Sequence, residues 1–242
     1  VGYYAGLSIT DGHTNTFVGS EAGDSITTGD ENVAIGHGAL DAGTTVNGNT
    51  AIGTDAMGGS LTGSYNTAVG YNAMLTAAGV SGTTAIGNQA LDALTTGDNN
   101  TGVGSGALGA NTTGASNTAV GYTALDANTT AANNTGVGYN SLGANTTGEG
   151  NTGVGKDALA VNTTAGNNTA VGYSALTANT TASDNTAVGH RALTTSTTGA
   201  NNTAIGEDAG VDVTTGGNNF FLGHSTGISA SPGGSVTTGN NE

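Results

Sequence analysis

The chain has 242 residues, including 45 Gly, one Pro and no Cys, and only 8% of its residues are charged. Its net charge of −15 sets 17 acidic residues against Lys156 and Arg191. A chain with so few cations cannot neutralise phosphates, which excludes nucleic-acid binding and a basic membrane-binding face. Without Cys it forms no disulfide, and no apolar run approaches the roughly 20 residues that span a bilayer, so we expect no membrane insertion.

A repeat of 17 residues runs through the chain. After a partial copy at Val1, a core resembling Asn-Thr-Ala-Val-Gly begins at 15, 32, 49, 66, 83, 100, 117, 134, 151, 168, 185, 202 and 219. A strict period indicates that each copy stacks on the previous one, and 17 residues rich in Gly, Thr and Asn are too few for a helix pair. The sequence predicts an all-β protein: a parallel β-solenoid, or β-roll, of about fourteen coils over residues 1–227. An irregular loop and partial coil are predicted for 228–242.

Four positions of the coil, numbered 1 to 17 from its leading Asn, predict its internal structure. Stacked Asn side chains at position 1 form hydrogen-bonded ladders and tolerate left-handed backbone. The aliphatic residue of position 4 and the Leu or Met of position 9 are expected to fill the interior, and the Gly of position 5 to form a corner. The predicted ladder residues are Asn100, Asn117, Asn134, Asn151, Asn168, Val103, Val120, Val137, Gly104, Gly121, Gly138, Leu108, Leu125 and Leu142.

Residue volumes at positions 3 and 9 vary together. Position 3 is mostly Ala or Gly, but Phe17 and Phe221 occur in coils whose position 9 is Gly, which predicts that the two positions face a common space. Positions 3 and 4 are neighbours on a strand and therefore point to opposite faces. This predicts a second buried space between chains, and hence a side-by-side homotrimer. The alternative is a lone coil in which the position 5 corner turns both residues inward.

The predicted surface carries two further ladders. Position 6 places Tyr122, Tyr139, Tyr173 and His190 in one column, and position 13 does the same for Thr129, Thr146 and Thr163. His190 and His224 lie two coils apart, roughly 10 Å by strand spacing, too far for one metal ion. Asp24 and Asp41 are expected to form a solvated acidic edge, although adjacent carboxylates also raise calcium binding as an alternative. We predict no catalytic residue, no metal and no cofactor.

Thr and Asn tracts allow two alternative interpretations. Nine Asn-x-Thr sequons occur, and we interpret their Asn residues as turn and ladder residues rather than glycosylation sites: Asn99, Asn111, Asn128, Asn133, Asn145, Asn162, Asn167, Asn179 and Asn201. Thr pairs such as Thr129–Thr130 suggest an ice-binding solenoid presenting Thr and Asn ladders. Adjacent residues of a strand would point to opposite faces, which argues against that alternative.

The segment Asn32 to Leu40, NVAIGHGAL, resembles the head repeats of YadA-type trimeric autotransporter adhesins, although the coil here is a few residues longer. The array as a whole is similar to NTAVG-repeat tail-fibre-like proteins. This resemblance implies a trimeric roll in an extracellular location, on a cell or virion surface, with an adhesive or spacer role. We therefore expect a non-catalytic fibrous module that associates with itself, as a trimer or end to end, and binds an unknown surface ligand.

Overall fold

A computed structural model describes residues 1–227, and it is an all-β parallel solenoid. Within these residues there are thirteen strands of three residues each and no helix. The partial first copy at Val1 forms no strand, and the predicted loop and partial coil of 228–242 lie outside the described residues. Each strand covers positions 2 to 4 of one coil: β1 Thr16–Val18, β2 Val33–Ile35, β3 Thr50–Ile52, β4 Thr67–Val69, β5 Thr84–Ile86, β6 Thr101–Val103, β7 Thr118–Val120, β8 Thr135–Val137, β9 Thr152–Val154, β10 Thr169–Val171, β11 Thr186–Val188, β12 Thr203–Ile205 and β13 Phe220–Leu222.

The chain divides into two compact units, Val1–Tyr122 and Thr123–Glu242. In the first unit, strands β1 to β7 pair in sequence order, and in the second unit strands β8 to β13 do the same. All of these pairs are parallel, and the partners are separated by 17 residues, as in Thr50 with Thr67. The predicted 17-residue β-solenoid is confirmed, with one strand in each complete coil.

The Gly of position 5 ends each strand. Gly104, Gly121 and Gly138 have φ angles of 135°, 140° and 131°, which only glycine adopts readily. A Cβ on Gly104 would lie 2.3 Å from the carbonyl oxygen of Gly121 in the next coil. The corner predicted at this position is confirmed, and close contact between successive backbones adds a second reason for glycine there.

The interior is built from small residues at position 3 and large ones at position 9. Ala119 is fully buried in the centre of its strand, and Leu108, Leu125 and Leu142 are fully buried as well. These leucines have φ angles of 53° to 55°, a left-handed conformation that costs about 1–2 kcal/mol for a residue with a side chain. Burial of a leucine side chain contributes about 1.5–3 kcal/mol. The hydrophobic gain therefore offsets the backbone strain in each coil that has leucine at this position.

The two Phe residues confirm that positions 3 and 9 share one space. A Cβ on Gly23, at position 9 of the same coil, would lie 2.6 Å from the ring of Phe17, and one on Gly6 in the preceding coil would lie 2.7 Å from that ring. Phe221 stands in the same relation to Gly227 and Gly210, at 2.4 Å and 2.9 Å. Each ring thus fills the volume that a leucine occupies elsewhere in the interior.

The aliphatic residue of position 4 lies on the outer face of the strand, not in the interior as expected. Val120 is 38% exposed, and Val103 and Val137 are half-buried. Because Ala or Gly at position 3 points inward, its neighbour must point outward. The alternative in which the corner turns both residues inward is therefore wrong for this chain.

Candidate functional surfaces

The Asn residues of position 1 are structural, because their side chains are fully buried and bonded between coils. This holds for Asn100, Asn117, Asn134, Asn151 and Asn168. The backbone N–H donates to the Oδ1 atom of the Asn one coil earlier, at 2.9 Å for Asn117 to Asn100 and 2.8 Å for Asn151 to Asn134. Asn100, which follows a Thr coil, donates instead to Thr83 Oγ1 at 3.2 Å. The Nδ2 atom donates across the coil to the carbonyl of position 15, at 2.8 Å for Asn100 to Gly114.

The left-handed backbone expected at position 1 lies instead one residue earlier. Asn99, Asn133 and Asn167, at position 17, have φ angles of 59°, 61° and 59°. The position 1 Asn that follows them does not share this conformation. The two positions have different roles, because position 17 makes the turn and position 1 supplies buried hydrogen bonds.

The Asn residues of position 12 form a second buried ladder, which the sequence pattern alone did not distinguish from the turn residues. The five Asn residues of the Asn-Thr-Thr motifs are fully buried, and in the second unit Asn162 Nδ2 donates to Asn145 Oδ1 at 2.9 Å. In the folded chain these five are inaccessible to a glycosylating enzyme. The other four sequon Asn residues are exposed at position 17: Asn99, Asn133, Asn167 and Asn201.

An apolar stripe follows the outer face of the strands. Within the first unit it contains Val18, Ile35, Ile52, Ile86 and Val120, which are 36% to 42% exposed. Position 2, two residues away on the same face, is a Thr in every strand except β2 and β13, which have Val33 and Phe220 there. Charged side chains are missing from positions 2 and 4 of all thirteen strands, so the whole outer face is apolar or hydroxylic.

The column at position 6 is exposed, as predicted for Tyr122, Tyr139, Tyr173 and His190. In the second unit Lys156 Nζ lies 5.6 Å from the ring centroid of Tyr139 and 5.4 Å from that of Tyr173, within cation–π range. The ring of Tyr173 lies 5.5 Å from that of His190. Along the column each side chain therefore contacts a neighbour of different charge or type, which stabilises a surface edge.

The same column continues with two ionic contacts to Glu207. His190 Nδ1 lies 3.5 Å from one carboxylate oxygen and His224 Nε2 lies 4.0 Å from the other. All three side chains are largely exposed. Nowhere in residues 1–227 do three or more His, Asp or Glu side chains converge as metal ligands would.

Carboxylates gather near the start of the first unit. Burial, together with the negative charges of Asp24 and then Asp55, raises the pKa of Asp41 to about 6. Asp41 Oδ1 is buried without a hydrogen-bond partner. His37 lies between Glu21 and Asp55, with nitrogen-to-oxygen distances of 3.7 Å and 3.9 Å. The expected acidic edge is present, and one of its members is partly desolvated rather than fully solvated.

Thr129, Thr146 and Thr163, predicted as a surface ladder, are only partly exposed, because their hydroxyls point along the stack. Each hydroxyl donates to the carbonyl of position 13 in the next coil, at 3.3 Å for Thr129, 3.0 Å for Thr146 and 3.1 Å for Thr163. The exposed threonines are those of the next position, such as Thr130 and Thr147.

Comparisons with models of protein families, with curated proteins and with solved structures found no match to this chain. No helix long and apolar enough to cross a membrane occurs in the part of the chain that the structure describes. The similarity to YadA-type head repeats therefore remains an interpretation of the sequence motif, and any function must be argued from the surfaces themselves.

Proposed function

We propose that this chain is a non-catalytic fibrous module of an extracellular structure, a cell-surface or virion fibre, with a structural or adhesive role. The observation that carries the proposal is the uncharged apolar stripe on the outer face of every strand. A monomeric soluble protein rarely exposes a contiguous apolar patch larger than a few hundred Å². Seven strands about 4.8 Å apart and about 10 Å wide give roughly 300 Å² in the first unit alone, the threonines of position 2 included, which is the size of the largest and often functional patch on a typical monomer.

The partner that fits this stripe best is a second and a third copy of the same chain. Another copy presents the same residues with the same spacing between strands, so Val and Ile side chains meet Val and Ile side chains at every coil. The stripe of one unit, roughly 300 Å² per chain, is smaller than the 800 Å² per partner of a standard interface, so the case for self-association rests on this matching register and not on area. We propose a side-by-side homotrimer in which positions 2 and 4 face the shared axis, leaving positions 6 and 14 for surface ligands or for other copies.

The solution mass tests the trimer. We expect about three times the 23.0 kDa chain mass by light scattering coupled to gel filtration. Because a charge buried in an apolar interface is strongly unfavourable, the pair Val103→Lys with Val137→Lys should shift the mass to one chain. Glu149→Lys, which makes the same kind of charge change at an exposed position away from the stripe, should leave the trimer intact. A wild-type monomer, or dissociation by Glu149→Lys alone, would contradict the proposal.

The exterior location has its own test. Antibodies raised against the chain should label intact cells or virions of the source without permeabilisation. Labelling seen only after permeabilisation would overturn the extracellular assignment while leaving the trimer untouched. The two results therefore report on separate parts of the proposal.

A further inference from the structure

The second unit carries a double column of threonine on the side of the coil away from the strands. In this unit positions 13 and 14 are both Thr in six coils, and Thr95–Thr96 and Thr112–Thr113 continue the run in the first unit. The six pairs are Thr129–Thr130, Thr146–Thr147, Thr163–Thr164, Thr180–Thr181, Thr197–Thr198 and Thr214–Thr215. The expectation that adjacent threonines point to opposite faces is wrong here, because this segment is a bend and not a strand. Its inward positions are 12 and 15, as shown by the buried Asn145 and Gly148.

The two columns differ in how their hydroxyls are used. Position 13 hydroxyls are committed to the carbonyl of the next coil, as in Thr180 to Thr197 at 3.2 Å and Thr197 to Thr214 at 3.0 Å. Position 14 threonines are exposed, and within residues 1–227 no hydrogen bond to protein engages the hydroxyls of Thr147, Thr164 or Thr181. The second unit thus presents an uncharged row of methyl and hydroxyl groups spaced by about 4.8 Å.

The fold does not require threonine at position 14. In the first unit Gly79 and Asp11 occupy this position, and a Cβ added to Gly79 would meet only one atom, at 3.9 Å. Position 16, which is also on the surface, changes freely between coils of the second unit, from Ala132 to Glu149 to Gly166. An exposed position that stays constant while its exposed neighbours vary indicates a contact outside the chain. Contacts between stacked threonines stabilise such a ladder by about 0.2–1 kcal/mol per pair. This is too small to explain why all six coils have threonine at position 14.

We propose that this double threonine column orders water and binds ice. The row is uncharged, repeats at a fixed spacing, and combines methyl groups, which order nearby water, with hydroxyls free to join a water lattice. Regularity comes from the backbone itself, because the 17-residue register places the threonines of successive coils on top of one another. A polysaccharide fits less well, because the column contains no aromatic ring on which a sugar could stack. This inference does not depend on the proposed fibre function.

The test uses the full chain in dilute buffer, with thermal hysteresis and ice recrystallisation as readouts. The wild type should show measurable hysteresis and faceted crystals. Thr164→Lys combined with Thr181→Lys should reduce hysteresis at least fivefold, because the charged chains break the repeat. Tyr173→Lys adds one lysine on the other exposed column, at position 6, and should leave hysteresis within measurement error. Circular dichroism and cooperative melting confirm that each variant is folded.

Conservative variants separate shape from chemistry. Thr164→Val keeps the methyl groups and Thr164→Ser keeps the hydroxyl, and each should cause a partial loss smaller than that of the lysine pair. Absence of hysteresis in the folded wild type overturns the proposal, as does an equal loss in Tyr173→Lys. Binding to insoluble cellulose or chitin through the same column, without ice activity, also overturns it and assigns the surface to a polysaccharide.

Discussion

Replacing Ser196 by Asn should stabilise the second unit by completing its buried Asn ladder. Asn145, Asn162 and Asn179 each donate their Nδ2 to the preceding Asn Oδ1, at 3.2 Å, 2.9 Å and 2.9 Å. The same nitrogens donate to the position 15 carbonyl at 2.9 to 3.0 Å. At the next coil the ladder stops, and both Asn179 Oδ1 and Ser196 Oγ are buried without a partner.

The expected size of the effect follows from these unsatisfied atoms. A buried polar group without a partner costs about 1–3 kcal/mol. In Ser196→Asn, the introduced amide donates to Asn179 Oδ1 and to the carbonyl of Gly199, and the lone hydroxyl is removed. The oxygen of the new amide faces Val213, which offers no side-chain donor, so one unsatisfied atom remains instead of two. We expect a net gain of about 1–2 kcal/mol in the free energy of unfolding.

Urea denaturation followed by far-ultraviolet circular dichroism measures this gain. It should appear as a higher midpoint with an unchanged dependence on denaturant concentration. Ser196→Ala is the matched control, since it removes the hydroxyl but gives Asn179 no donor, and its gain should be smaller than that of Ser196→Asn. In an Asn179→Ala background, most of the benefit of Ser196→Asn should disappear. A gain that persists in that background, or a destabilised Ser196→Asn chain, would refute the reasoning.

Three other substitutions test separate parts of the structure. Gly87→Ala places a Cβ 2.5 Å from a neighbouring carbonyl oxygen at a φ of 141° and should lower the free energy of unfolding by about 3 kcal/mol or more. Gly79→Ala, its control, should leave stability nearly unchanged. Equal melting temperatures for the two variants would contradict the corner at position 5. Phe17→Ala should lower the free energy of unfolding, measured by urea denaturation, by about 3–4 kcal/mol, and adding Gly23→Leu should restore much of that loss. If the second substitution restores nothing, positions 3 and 9 do not share one volume. Asp41→Asn should stabilise the chain at pH 7 by about 1 kcal/mol, after allowance for solvent screening. Because the pKa of Asp41 is raised in the folded state, its contribution to stability is fully present below about pH 4 and is lost as pH rises through about 6. The free energy of unfolding should therefore decline less over this pH range in Asp41→Asn than in the wild type. An unchanged pH profile would argue against a buried carboxyl.

The period of the sequence was sufficient to predict the solenoid, because a constant spacing of 17 permits only stacked coils. The exchange of volume between Phe17 and its neighbouring glycines also predicted a shared interior space. Neither inference needed the direction of any single side chain. They depended on which positions vary together and at what distance along the chain.

Directions within the coil were harder to predict, because they depend on the turn that follows each strand. Val120 looks like an interior residue by hydrophobicity, yet its outward direction follows once Ala119 points inward. Leu125 adopts a left-handed conformation that its intrinsic preference disfavours, and only the burial of its side chain explains it. Thr129 and Thr130 share a surface because their segment bends, which the two letters alone do not reveal.

The unbroken 17-residue register also has a consequence for how such a gene can change. Within each unit, the backbone ladder and the stacked side chains join residues of one copy to residues of the adjoining copy, so duplication or loss of one complete copy recreates the same contacts at the junction. A single inserted residue, in contrast, lengthens one coil to 18 residues, and glycine, leucine and asparagine of that coil then lie out of step with their partners in an adjacent coil. Selection can therefore lengthen or shorten this protein in whole-copy steps by unequal recombination, while changes of one or two codons are removed.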